Sequence, residues 1–241
     1  MFHSLYPDLL TTKKEIYSDF FILDAPEGAI VMLVEPRSIM PEVYEYVENN
    51  HDKFQLIYTF DSVLLQYENS KLLIYGTVTT EEFNEPKTKT ISMVCSDKDM
   101  CEGHRKRRWL ANVLKGTIDT YGAFDGGEFA SNHDIYAPYM FNVAVENYKT
   151  TYYFTEKICN CFATKTIPIY YGAQYINRPF DIRGMICVYN INSIPDIINS
   201  LRGHEKEYYD DHIEFILDNY ERVQKYKNFN QTFHRMYGGD A

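Results

Sequence analysis

Short apolar runs alternate with amphipathic segments along most of this chain. Residues 29–34, AIVMLV, form a β-branched run stopped by Glu35-Pro36 and predict a buried strand. Residues 41–50 follow with Pro41 in a first turn and Val43, Tyr44 and Val47 on one face, the spacing of a helix. Strands are expected at 54–59 and 71–75, separated by a short helix that Asp61 can cap at Val63 and Leu64. Residues 19–25 fit a strand or a short helix, and residues 1–18 are ambiguous and can be partly disordered. The polar stretch 79–90, with Pro86, reads as a linker or crossover.

The alternation then resumes. A strand is expected at 90–95, a helix at 103–115 with Trp109, Leu110, Val113 and Leu114 as its apolar face, and a strand at 118–121. Residues 123–138 are glycine-rich and irregular. Further on, 186–189 predict a strand and 194–199 a short helix. From about Glu205 to the end, Tyr209, Ile213, Ile216, Tyr220 and Val223 recur at helical intervals. Alternating strands and helices imply an α/β protein with parallel sheets. Two blocks joined near 79–90 fit the pattern, with a single continuous sheet as the alternative.

Residues 141–172 concentrate candidate chemistry between two apolar elements. FNVAV predicts a strand that ends at Glu146 and Asn147; EKICNCFA predicts about two helical turns; 166–172 return as a strand closed by Gly172. Thr155 can cap the helix, without a capping box because position 158 is Ile. Pro168 favours an early or edge position in its strand. Ligands of parallel sheets collect outside the strand ends. There Lys157 can meet a phosphate, Glu146 and Glu156 can accept hydrogen bonds from sugar hydroxyls, and Tyr153 offers a flat face to a base or sugar. Glu156 and Lys157 are equally compatible with ordinary charges of a first helical turn.

The 241 residues, 45% of them hydrophobic, suffice for one large domain or two small ones. The net charge of −10 argues against non-specific binding to nucleic acid. Five cysteines occur in no C-x-x-C pair and in no zinc or disulfide framework, so no metal is called for and a reducing compartment is the easier reading. The first residues lack the apolar core of a signal peptide, and no stretch reaches the length of a membrane span. Against this acidic background, HRKRR at 104–108 opens a helix, where cations oppose the helix dipole. An anion held by one or two of these arginines would relieve that conflict. The other reading is a solvated run neutralised by Asp97, Asp99 and Glu102.

The spacing of these residues resembles the signature of the α-1,3-fucosyltransferases, glycosyltransferase family 10. That pattern runs F-x-x-x-x-E-N, five variable residues, Y-x-T-E-K, and later P-[IV]-x-x-G. Glu146, Asn147, Tyr153, Thr155, Glu156, Lys157, Pro168, Ile169 and Gly172 match it in order. Upstream, residues 91–122 resemble the family's S-x-x-x…R…L…D-x-Y-G segment, with Arg105 on the arginine and Asp119, Tyr121 and Gly122 on its end. VMLVEPRS resembles the strand end that carries the family's proposed base, which falls on Glu35.

The resemblance implies a GT-B-like α/β fold of two Rossmann-like blocks facing a cleft. The expected division is a reduced acceptor-side block at 1–85, a donor block at 86–200 and a C-terminal helical segment at 201–241. It also implies inverting transfer of L-fucose from GDP-fucose to a glycan hydroxyl, in α-1,3 linkage, with GDP as product and no cofactor. Glu35 and Glu146 would be catalytic, as base and as stabiliser of the sugar-ring cation. Lys157 and Arg105 would hold the diphosphate, Glu156 the ribose, and Tyr153 and Asn147 the nucleotide pocket. The partners would be a nucleotide sugar and a glycan acceptor; the cytoplasm is the location expected from the cysteines and the first residues, independently of the resemblance. The alternatives are another sugar nucleotide on the same fold, or a non-catalytic nucleotide-sugar or glycan-binding protein.

Overall fold

The computed structural model describes residues 15–127 and 130–238. Most of the ambiguous N-terminal segment, and two residues of the glycine-rich stretch, therefore lie outside the described residues. The chain divides into two compact units: one takes the residues up to Tyr75, Thr150–Tyr153 and those from Asn228; the other takes Gly76–Lys149 and Phe154–Lys227.

In the first unit, β1 (Ile16–Ser18), β2 (Ile30–Met32), β3 (Leu56–Thr59) and β4 (Ser70–Leu72) form a parallel sheet in sequence order. Ile30 stands opposite Ile16 and Leu56 in register. Helix α1 (Pro41–Asn49) starts at its proline and buries Val43, Tyr44 and Val47, the face expected from its spacing. These side chains pack with Ile22, Val31, Leu33, Phe54 and Ile57. Residues 19–24 settle as a short 3-10 helix, the second of the two expected forms. Asp61 accepts the amide protons of Val63 (3.0 Å) and Leu64 (3.2 Å), the local cap its position predicts.

The second unit carries β5 (Lys89–Val94), α2 (Glu102–Leu114), β6 (Asp119–Tyr121), α3 (Asn132–Tyr136), β7 (Tyr139–Val145), α4 (Glu156–Ala163), β8 (Ile167–Tyr171), β9 (Ile186–Cys187), α5 (Ile194–Leu201), α6 (Glu205–Asp211) and α7 (Ile213–Val223). Its sheet is parallel throughout, in the order β6-β5-β7-β8-β9. The order reverses between β5 and β7, and such a switch point opens a crevice beyond the carboxyl ends of the two strands. All seven residues of β7 are buried. Its Asn142 side chain donates to Ser92 Oγ of β5 at 2.9 Å. Pro168 lies in the interior strand β8, where the pairing to β9 begins one residue later, at Ile169. The missing N–H thus falls where β8 is locally an edge.

Two expectations change. The terminal helical pattern breaks into α6, α7 and, in the first unit, α8 (Phe229–Tyr237). Helix α2 also turns a different face inward. Trp109 and Val113 are 44% and 45% exposed, while His104, Arg107, Leu110, Ala111 and Leu114 are buried.

Candidate active site

The carboxyl end of β7 delivers Glu146 and Asn147 to the switch point. The Glu146 carboxylate is fully enclosed and both oxygens are engaged. Oε1 accepts the Thr155 amide proton at 2.9 Å, Oε2 accepts the Thr155 hydroxyl at 2.8 Å, and Lys157 Nζ lies 3.5 Å from Oε2. Thr155 caps α4 as its position predicts, accepting from Lys157 N. Lys157 Nζ donates to Thr155 Oγ1 and to Glu156 Oε1, both at 3.0 Å. Burial pushes the Glu146 carboxyl up, against the pull of Lys157. Burial also disfavours the Lys157 ammonium, but Glu156 and Glu146 outweigh it and hold Lys157 above its ordinary value. Glu156 is desolvated too, yet Lys157 carries it below the usual range. The motif T-E-K thus builds a charged turn at the first residues of a helix, with Lys157 18% exposed and Glu156 39% exposed.

Gly172 explains the last letter of the motif. A Cβ there would stand 2.3 Å from the Tyr170 hydroxyl and 2.6 Å from Glu146 Cγ, both buried. Gly103 does the same on the β5 side: its Cβ would come within 1.7 Å of the Asn147 carbonyl oxygen. Helix α2 therefore starts in direct backbone contact with the loop after β7.

That contact brings Arg107 into the site. Its side chain is buried, Nη1 donates to Asn147 Oδ1 at 2.5 Å and approaches Val145 O at 3.4 Å, and Nε is buried with no hydrogen-bond partner. Arg107 repels the Lys157 ammonium, so the two cations share one neighbourhood. His104, one turn earlier, is buried beside Arg107, Lys98 and Lys157, and burial together with these charges pushes it down to about 4. It is neutral at neutral pH and accepts the Met100 amide proton through Nδ1. Arg105 stands elsewhere: 59% exposed, 3.4 Å from Asp99. Within HRKRR at 104–108 the family pattern selects Arg105 and leaves Arg107 unassigned. The signal was the spacing of positions 104, 107, 111 and 114 along α2.

Two of the expected residues belong to the first unit. Glu35 lies past the carboxyl end of β2, half-buried, with its amide donating to Asp19 Oδ1 at 3.1 Å and its carbonyl accepting the Tyr44 hydroxyl at 2.8 Å. Tyr153 is buried, its ring 4.6 Å from that of Phe60. Among the described residues no three His, Cys, Asp or Glu side chains converge as metal ligands, and no helix is long and apolar enough to cross a membrane.

The family profile "Glycosyltransferase family 10 (fucosyltransferase) C-term" matches residues 84–235, well over half of the chain. The chain belongs to glycosyltransferase family 10. Over 88 residues it is 30% identical to the α-(1,3)-fucosyltransferase FucT of Helicobacter pylori, a stretch covering 35% of this chain and 18% of that protein. Among solved structures, an α1,3-fucosyltransferase with GDP-fucose superposes with a TM-score of 0.53 and 16% identity, over 91% of this chain and 80% of the other. The same comparison with a GDP-bound α1,3-fucosyltransferase gives 0.54 and 15%, over 90% and 79%. A pneumococcal O-GlcNAc transferase, GtfA, in complex with UDP and GlcNAc reaches 0.54 at 10% identity, over 95% and 56%. The fold of this family 10 chain is therefore GT-B-like: two α/β units, each with its own parallel sheet.

Proposed function

We propose that this protein is an inverting glycosyltransferase that moves L-fucose from GDP-fucose to a hydroxyl of a glycan, in α-1,3 linkage. The observation that carries the reading is the pair of cations at the switch point, Arg107 buried and Lys157 18% exposed. Lys157 is held charged by two carboxylates, and Arg107 keeps a buried Nε without a partner. A diphosphate supplies what that neighbourhood lacks, oxygens that accept from a guanidinium and an ammonium together. Arg107, rather than the exposed Arg105, is the arginine we assign to it. Glu156 is assigned to the ribose hydroxyls. Asn147 holds Arg107, and Glu146 acts as a positioning residue that fixes Thr155 and Lys157.

The chemistry is then a displacement. Glu35, by this proposal, takes the proton of the acceptor hydroxyl as its oxygen bonds to the anomeric carbon. The bond from that carbon to the diphosphate oxygen breaks, and GDP leaves with the electron pair. Charge builds on the leaving phosphate, where Lys157 and Arg107 neutralise it. Attack from the face opposite the leaving group inverts a β-linked donor to an α-linked product. All five cysteines are unpaired, which suits a reducing compartment and supports a cytoplasmic location.

The test is a panel of sugar nucleotides followed by calorimetry and by nucleotide release. Binding of GDP and GDP-fucose, with release of GDP from GDP-fucose alone, is expected. Preference for a uridine nucleotide would move the donor assignment to another sugar. Binding without turnover on any acceptor array would favour a non-catalytic role.

A further inference from the structure

Beyond the donor site, helix α2 presents its other side to a groove of about 450 Å3, closed by the end of β8 and the segment after β9. This volume falls in the range of roughly 300–1,000 Å3 typical of ligand clefts. The walls combine Trp109, Tyr171 and Tyr189 with Arg105, Lys106 and Asn192, and among the described residues no carboxylate lines them. Trp109 is 44% exposed and is the only tryptophan of the chain; Tyr189 is 84% exposed. Tyr171 packs against the core that the rest of α2 supports, but Trp109 and Tyr189 do not belong to it, so that core does not account for these two rings.

The groove is also ordered. Lys149 Nζ donates to the Tyr189 carbonyl at 2.6 Å and lies 4.7 Å from the Tyr171 ring centroid, tying the segment after β9 to the end of β8. A second groove of about 520 Å3, lined by Lys149, shares Tyr189 with the first. Three cations therefore border aromatic faces in a chain whose net charge is −10. Glu102 pairs with Lys106 at 2.7 Å and Asp99 with Arg105 at 3.4 Å. Both pairs are exposed, and exposed pairs contribute little, so an incoming anion can displace them.

We propose that this groove binds an acidic oligosaccharide, with sugar rings stacked on Trp109 and Tyr189 and their carboxylates met by Lys106 and Arg105. Aromatic faces accept the C–H faces of pyranose rings, and Asn192 can pair with hydroxyls. A purely apolar ligand would leave the cations unused, and a free nucleotide would use one ring only. The inference goes beyond the donor reading and does not depend on it.

Trp109 makes the test direct, because tryptophan fluorescence reports on this groove alone. A hyaluronan hexasaccharide is titrated into the full chain beside its carboxyl-reduced neutral counterpart, GDP and an oligothymidylate. The expected result is saturable quenching by the acidic sugar, at least about tenfold weaker for the neutral one and weakened by salt. Tyr189→Ala should weaken it by roughly fivefold, and Lys106→Gln should reduce the salt dependence. Because Tyr189 is on the surface, its variant is expected to fold normally, with an unchanged melting curve as control. Equal binding of the neutral sugar, stronger binding of the oligothymidylate, competition by GDP, or no saturable change would each overturn the proposal. GDP affinity measured separately by calorimetry tells failure here from failure of the donor assignment.

Discussion

Asp19 holds the backbone of Glu35. Its Oδ1 accepts the amide protons of Val34 at 2.9 Å and Glu35 at 3.1 Å, so a buried carboxyl at the start of the 3-10 helix shapes the strand end that carries the proposed base. Asp19 adopts a φ of 52°, in the left-handed region that Asp tolerates better than most residues, and its Oδ2 is buried with no hydrogen-bond partner.

That enclosure predicts a pH effect on stability. Burial, against the two amide donors and with the Glu35 charge adding to it, raises Asp19 from 3.8 to about 6. A carboxyl raised on folding contributes stability that is full below its unfolded value near 3.8 and is lost as pH rises through about 6. Asp19→Asn keeps the acceptor oxygen and cannot ionise. Relative to the parent it should therefore gain up to about 3 kcal/mol between pH 4 and 7.5, measured by urea unfolding at both values. A constant difference across that range would show that Asp19 does not titrate there. Asp19→Ala should destabilise by roughly 1–3 kcal/mol at pH 4, because two amides lose their acceptor, and that loss should shrink or vanish by pH 7.5, because alanine has nothing to ionise either.

The two arginines separate by calorimetry with GDP. Arg107→Ala should weaken binding by at least about tenfold, and Arg107→Lys should not restore it, since an ammonium cannot reproduce the planar contacts. Arg105→Ala should stay within about twofold, as an exposed pair with Asp99 implies. The reverse order would return the diphosphate to Arg105.

Glu146→Gln tests the buried turn. It removes one of the two charges that hold Lys157 in its ammonium form. The variant should lose roughly 2–3 kcal/mol of stability, read as a lower melting temperature. It should also bind GDP more weakly even though Glu146 is assigned no ligand contact. Unchanged GDP affinity in a folded variant would detach Glu146 from the donor site.

Gly103→Ala tests the junction of α2 with the loop after β7. The added methyl meets a backbone carbonyl, which cannot rotate away as a side chain can. A loss of more than about 2 kcal/mol is expected in thermal unfolding, together with weaker GDP binding, because Arg107 is carried on the displaced helix.

Much of this was legible beforehand. The strands at 29–34, 54–59 and 141–145, the helix at 41–50, the Thr155 cap and the two-block α/β organisation follow from hydrophobic period and turn chemistry, which act over a few residues. The T-E-K turn was legible for the same reason: Glu156 and Lys157 are neighbours in sequence, and Thr155 caps them locally. Glu146 was legible by position, but its enclosure was not, since that depends on Thr155 folding back over the end of β7.

The rotation of α2 marks the boundary. By itself the sequence determined that residues 103–115 form a helix, that the chain alternates strands and helices, and that the motif from Glu146 to Gly172 belongs to family 10. Periodicity placed Trp109 and Val113 on the apolar face and left Arg107 in a cationic run, read either as an anion site or as a solvated surface. Only the tertiary structure turned Trp109 and Val113 outward and Arg107 inward. Asn147, forty residues away in sequence, offers Arg107 a carboxamide oxygen at the switch point, and Gly103 lets the helix approach closely enough to use it. Burial of an arginine is decided by the partners that meet it, and those partners come together only when β5 and β7 pair.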